Sequence, residues 1–99
     1  MSEQIQEALV PEGVIRARAA FLRDFAALYA DKKTRGKYVC YHNDKLVLVN
    51  KDYFAILREL VAHNIPQTAS LVVDVTPASE AEEREFAEED KLQQQCLTS

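Results

Sequence analysis

Apolar residues recur at helical spacing over residues 12–30. Val14, Phe21, Leu22, Phe25, Leu28 and Tyr29 fall on one side with alanines between them. Arg16, Arg23, Asp24 and Ala27 fall mostly on the other, so the pattern predicts an amphipathic helix that docks by one face. Pro11 precedes it, and Gly13 weakens its first turn slightly. A polar, basic loop follows, Asp31 to Gly36.

The period then shortens to two. Lys37–His42 and Lys45–Val49 read as strands, and Asn43-Asp44 between them suits a two-residue hairpin turn because both residues tolerate left-handed backbone angles. That turn pairs His42 with Lys45, Cys40 with Val47 and Val39 with Leu48. Val39, Tyr41, Leu46 and Leu48 then share one face, and Tyr38, Cys40, Val47 and Val49 the other, so both faces want cover. A second helix is predicted over residues 51–63, capped by Asn50 or Asp52. Phe54, Leu57, Leu60 and Val61 form its buried stripe, with Arg58, Glu59 and His63 outward. Asn64 suits the left-handed residue that ends a helix, Ile65 the hydrophobic contact beside it, and Pro66 blocks continuation. Leu71–Val75 is a third strand, stopped by Thr76-Pro77. A right-handed crossover makes it parallel to the second strand, and the simplest sheet has the order 2-1-3.

Ser79-Glu80-Ala81-Glu82 reads as a capping box. The segment after it, to about Gln94, has helical propensity but only Phe86 and Leu92 as apolar anchors. It reads as a marginal, solvated or partner-dependent helix. The expected organisation is a flexible N-terminus over residues 1–10, one α+β domain over 11–77, and an acidic helical or disordered tail over 78–99. The domain is a small β-β-α-β core with a three-stranded mixed sheet behind an amphipathic helix.

The chain has 99 residues, enough for one small domain whose core is modest and gains from extensions or partners. Its longest apolar run, Leu46–Val49, is far too short to cross a bilayer, and the N-terminal segment lacks the pattern of a secretory signal. A cytoplasmic, non-membrane protein is the expectation. A disulfide between Cys40 and Cys96 would tie a strand to the tail in a compartment that keeps thiols reduced, so none is expected.

The net charge of −4 conceals a polarised chain. Arg16, Arg18, Arg23, Lys32, Lys33, Arg35 and Lys37 crowd the front against Asp24 and Asp31. Asp74, Glu80, Glu82, Glu83, Glu85, Glu88, Glu89 and Asp90 crowd the rear against Arg84. Solvated helix faces explain such runs most simply. The sharper reading has the acidic tail folding over the basic patch, or competing there with a polyanion.

The block from Arg35 to Val75 resembles a family of small uncharacterised prokaryotic domains. Those carry a Gly-Lys-(Trp or Tyr)-Val-Ala hairpin, a helix and a closing strand. Gly36, Lys37, Tyr38 and Val39 match, with Cys40 where alanine is usual. The resemblance implies the β-β-α-β fold and small accessory or antitoxin-like partners of neighbouring proteins, sometimes retroviral-type aspartic proteases. It carries no catalytic motif.

Candidate chemistry is sparse. Cys40 and His42, two apart in a strand, share a face and could pair as nucleophile and base, but a third orienting group and an oxyanion hole are missing. Cys40, His42, Asp44 and His63 lack the paired spacing of a zinc site. Asp74 has no second carboxylate placed for acid–base work. No cofactor, metal or catalytic residue is therefore assigned. The expectation is a non-enzymatic protein–protein interaction module, an accessory or regulatory (antitoxin-like) subunit working as a homodimer or in a hetero-complex with an unidentified protein. Arg16, Arg23, Arg35 and Lys37 would serve anionic contacts, Tyr38 and Tyr41 apolar ones, and Glu82, Glu85 and Glu89 a basic surface. The alternative is a nucleic-acid-binding regulator using the basic first helix and loop, which the overall acidity disfavours. A small thiol enzyme ranks below both.

Overall fold

A computed structural model of the chain describes residues 10–98. The elements run α1 (Glu12–Ala30), β1 (Tyr38–His42), β2 (Lys45–Asn50), α2 (Tyr53–Ala62), a 3₁₀ turn (Gln67–Ala69), β3 (Ser70–Asp74) and α3 (Pro77–Thr98). The fold is α+β, with a three-stranded sheet in the order β2-β1-β3. β3 runs parallel to β2, as the crossover requires. The two are not neighbours, however, and both bond antiparallel to β1, so every ladder in the sheet is antiparallel and not mixed. The loose N-terminus expected over residues 1–10 falls outside the described residues except for Val10. Its main-chain N–H and C=O are both bonded to the Gln93 side chain, at 2.9 Å each.

Helix α1 covers one face of the sheet. Ala17, Ala20, Phe21, Phe25 and Leu28 pack on Val39, Tyr41, Val73 and Val75. Its last carbonyls are satisfied by the following loop: Thr34 Oγ1 donates to Leu28 and Arg35 Nε donates to Tyr29. Gly36 takes φ +74° there, a backbone angle that most side chains avoid. Gly13 serves a different need, since a Cβ at that position would lie 2.6 Å from Ala69 and push α1 off the 3₁₀ turn.

Helix α2 covers the other face, where Ile56 and Leu60 meet Cys40, with Tyr38, Leu48, Leu57, Ile65 and Val72 around them. Asp52 caps its start by accepting from Phe54 N–H at 3.0 Å. Its end is a Schellman motif: Asn64 sits at φ +55°, Ile65 N–H bonds to Leu60 C=O and Asn64 N–H to Val61 C=O.

Two expectations are corrected here. A bulge at Val47, between the Tyr41–Leu46 and Cys40–Leu48 pairs, shifts the hairpin register, so His42 and Tyr41 face Lys45 and Leu46, but Cys40 faces Leu48 and Val39 faces Val49. The extra residue carries Leu48 across to the α2 side. The α2 stripe is also turned. Ile56 and Leu60 are 1% and 2% exposed, whereas Phe54 and Val61, expected inside, are 65% and 70% exposed. Apolar residues wrap more than half of this helix, and the sheet has room for only one side of it.

The acidic segment forms a helix of 22 residues, longer than expected, and it packs on α1. Thr76, not Ser79, caps it: Thr76 Oγ1 accepts from Ser79 N–H at 3.2 Å, and Pro77 takes the first helical position. Ser79 instead donates its hydroxyl to Asp74, which ties the end of β3 to the new helix.

Candidate interaction surface

The most exposed large apolar side chains of the described residues, Phe54 and Val61, project from the outer side of α2. Seven residues apart, they lie on one helical face two turns from each other. Leu57, Arg58, Val61 and Ala62 line a shallow apolar hollow of about 360 Å³ on that face. Beside it, between α2 and β3, runs a groove of about 300 Å³ lined by Tyr53, Leu57, Leu60, Gln67, Ser70 and Val72. Leu57 borders both, so hollow and groove adjoin. Tyr53 braces its end, with its ring 5.4 Å from Tyr38 and 5.6 Å from Phe54. Arg58 is the charged group at the hollow's rim, and its nearest carboxylate is Asp52, 4.0 Å away across exposed surface. Such a pair contributes little and leaves the guanidinium available to another anion.

A second polar constellation lies between α1 and α3. Arg18, 8% exposed, donates from Nε to Glu83 at 2.8 Å and from Nη1 to Asp90. Its guanidinium also lies 5.2 Å from the Phe86 ring centre. Burial disfavours the charge, but the hydrogen bonds and fields of the two carboxylates outweigh it and raise the Arg18 pKa above its ordinary value. Among the described residues, the acidic helix meets the basic residues of α1 at Arg18 alone. Arg18 was missed as a site residue. The signal was there, because Arg18 interrupts the apolar spacing of Val14, Phe21 and Phe25 with a lone cation, while Glu83, Phe86 and Asp90 repeat at matching helical intervals.

The sequence-selected residues do not converge. Arg16 and Arg23 border one shallow depression with Asp44, Arg16 being paired with Glu12 and Arg23 with Asp24. Arg35 and Lys37 lie past the other end of α1, and Arg35 stacks 5.3 Å from the Tyr29 ring. Glu82, Glu85 and Glu89 are exposed on α3. Tyr38 is half-buried against Tyr53. Tyr41 is not an available contact: it is fully buried, and its hydroxyl donates to Asp24 at 2.7 Å. Burial first, then this bond to a carboxylate, pushes its pKa up. Asp24 moves the other way, lowered chiefly by the hydrogen bonds from Arg23 and helped by Tyr41 against a burial penalty.

Cys40 is fully buried, and burial pushes its thiol up to about 11. At neutral pH it is a thiol without nucleophilic character. The side chain of Cys96 lies outside the described residues. His42 reaches only Ser70, at 3.4 Å, and His63 pairs with Glu59 on the α2 surface. Among the described residues no group of three or more metal-ligating side chains converges, and no helix is long and apolar enough to cross a membrane. Comparison with family models, curated proteins and solved structures found no match.

Proposed function

We propose that the protein is a non-enzymatic interaction module, an accessory or regulatory subunit that docks a partner protein on the outer side of α2. The observation that carries this reading is the exposure of Phe54 and Val61 on a helix whose opposite side is sealed by Ile56 and Leu60. Exposed apolar side chains scattered singly mean little. Here Val61 lines a hollow that adjoins a groove at Leu57, with Phe54 on the same helical face, and such a patch is the mark of an interaction site. The partner element that fits is an amphipathic segment with apolar anchors at helical spacing and a carboxylate to meet Arg58. The buried Cys40 thiol weakens an enzymatic reading, and the neutralisation of Arg18 by α3 weakens a nucleic-acid reading. The antitoxin-like role implied by the resemblance of residues 35–75 to small prokaryotic domains agrees with such a module.

The test compares the full-length wild type with Val61→Asp and Leu92→Asp, both at exposed positions, in capture from the native cell followed by titration of the purified partner. Saturable binding lost with Val61→Asp and kept with Leu92→Asp is the expected result. Binding indifferent to Val61→Asp overturns the proposal.

A further inference from the structure

The open edge of β2 fits a second copy of itself. The strand is bonded on one side only, and Leu46, Val47 and Val49 are each 40% exposed along it. The bulge redistributes its faces. Lys45, Leu48 and Asn50 lie opposite His42, Cys40 and Tyr38, on the α2 side of the sheet. Leu46 and Val49 lie opposite Tyr41 and Val39, on the α1 side.

Two such edges running antiparallel about a twofold axis perpendicular to the sheet keep the same face upward, so each residue must meet one from its own face. The register that overlaps all six strand residues satisfies this in its outer pairs. Leu46 meets Val49 of the second copy, Lys45 meets Asn50, and Val47 and Leu48 meet around the axis. A strand without the bulge would put Leu46 and Val49 on opposite faces and forbid that register. Leu46 also follows the closing pair of the hairpin, so its N–H and C=O turn away from β1 toward the open edge.

The charges agree with the same register. One step beyond the strand ends, Asp44 lies across from Lys51 of the second copy, and the twofold repeats the pair. Among the described residues neither charged group has a hydrogen bond or ion-pair partner. Arg23 donates to the main-chain oxygen of Asp44 at 3.5 Å, and its charge also feels that of Asp44 without pairing with the carboxylate. Lysines and bulges usually deter edge pairing. In this register the lysine meets an asparagine, and the bulge is matched by its own copy.

We propose that two copies of the chain join through their β2 edges into one continuous antiparallel sheet, with Asp44 facing Lys51 on both sides of the twofold. This interface uses residues other than those of the α2 face, so either proposal can fail alone.

Sedimentation equilibrium of the full chain tests it, with circular dichroism to confirm that each variant is folded. The wild type is expected at twice the 11.2 kDa chain mass. Val49→Lys should abolish the dimer at micromolar concentration. Asp44→Lys and Lys51→Asp should each weaken it about tenfold, since each brings like charges together twice. The double swap should restore it. A wild type that stays monomeric at millimolar concentration overturns the proposal. So does a dimer that survives Val49→Lys, or single swaps that the double swap fails to rescue.

Discussion

Replacing Arg18 with Met is the sharpest perturbation that the fold offers. Arg18, Glu83 and Asp90 are 8%, 6% and 5% exposed, and the guanidinium is the shared partner of both carboxylates. Removing one member of a buried ion pair costs about 3–5 kcal/mol, because the remaining charge stays desolvated and unpaired. Two carboxylates are stranded here, so the upper end applies while α3 stays docked. Against the roughly 5–15 kcal/mol that separates a small domain from its unfolded state, that is a large fraction. The protein has a cheaper escape, in which α3 lifts away and returns Glu83 and Asp90 to water. The measured loss is then capped by the free energy of docking α3. Urea denaturation followed by circular dichroism gives the global loss, and amide exchange along residues 77–95 shows whether the helix detaches first. Arg18→Met is expected to lose about 3 kcal/mol or to release α3, with exchange rising there before it rises in the sheet. Adding Glu83→Met and Asp90→Leu should recover most of the loss, since apolar side chains of similar volume replace a buried ion pair at little cost. A loss no larger than that of the exposed control Arg16→Met, with exchange in α3 unchanged, would refute the reasoning.

Other consequences follow from burial and charge. In a Cys96→Ser background at pH 8, Cys40 should react with iodoacetamide at least about 100-fold more slowly in the native protein than in urea, from its shift from 9.0 to about 11 and its full burial. Because that pKa is raised, its contribution to stability is full below pH 9 and is lost as the pH climbs toward 11. Tyr41→Phe deletes the hydroxyl bonded to Asp24 and should cost about 1–2 kcal/mol at pH 7 by thermal denaturation. Asp24 titrates below its ordinary value of 3.8, so its share of stability is present above that pH and disappears as the pH falls through the lowered value. Asp24→Asn should flatten that acid limb. Ile56→Ala should cost about 2–5 kcal/mol in urea, while Phe54→Ala stays within about 0.5 kcal/mol, the reverse of the order that the α2 sequence pattern suggests.

Much of the fold was legible because local signals agreed with one another. The helical spacing from Val14 to Tyr29 set α1, Asn43-Asp44 set the hairpin turn, and Asn64-Ile65-Pro66 set the end of α2. What was not legible depended on distant partners. The bulge at Val47 leaves no local mark in an unbroken run of apolar residues, yet it reassigns Leu48 to the other face. Phe54 and Ile56 look equally suited to a core, and only contact with Cys40 and Val72 selects Ile56. The start of α3 moved because Thr76 followed by proline competes with the capping box at Ser79, and the proline fixes the first turn. Tyr41 read as a surface contact because nothing in the strand announces its bond to Asp24, 17 residues earlier. The outer face of α2 became visible as a surface only once the sheet had chosen the inner one.

The central claim, that α2 presents the docking face, is tested most directly by site-specific photo-crosslinking. Benzoylphenylalanine would be placed singly at Phe54, Val61, Tyr29 and Leu92, all exposed positions spread over the three helices. Irradiation in the native cell should give the same partner adduct from positions 54 and 61, and none from 29 or 92. An adduct confined to positions 29 or 92, or equal yields from all four, would contradict the account.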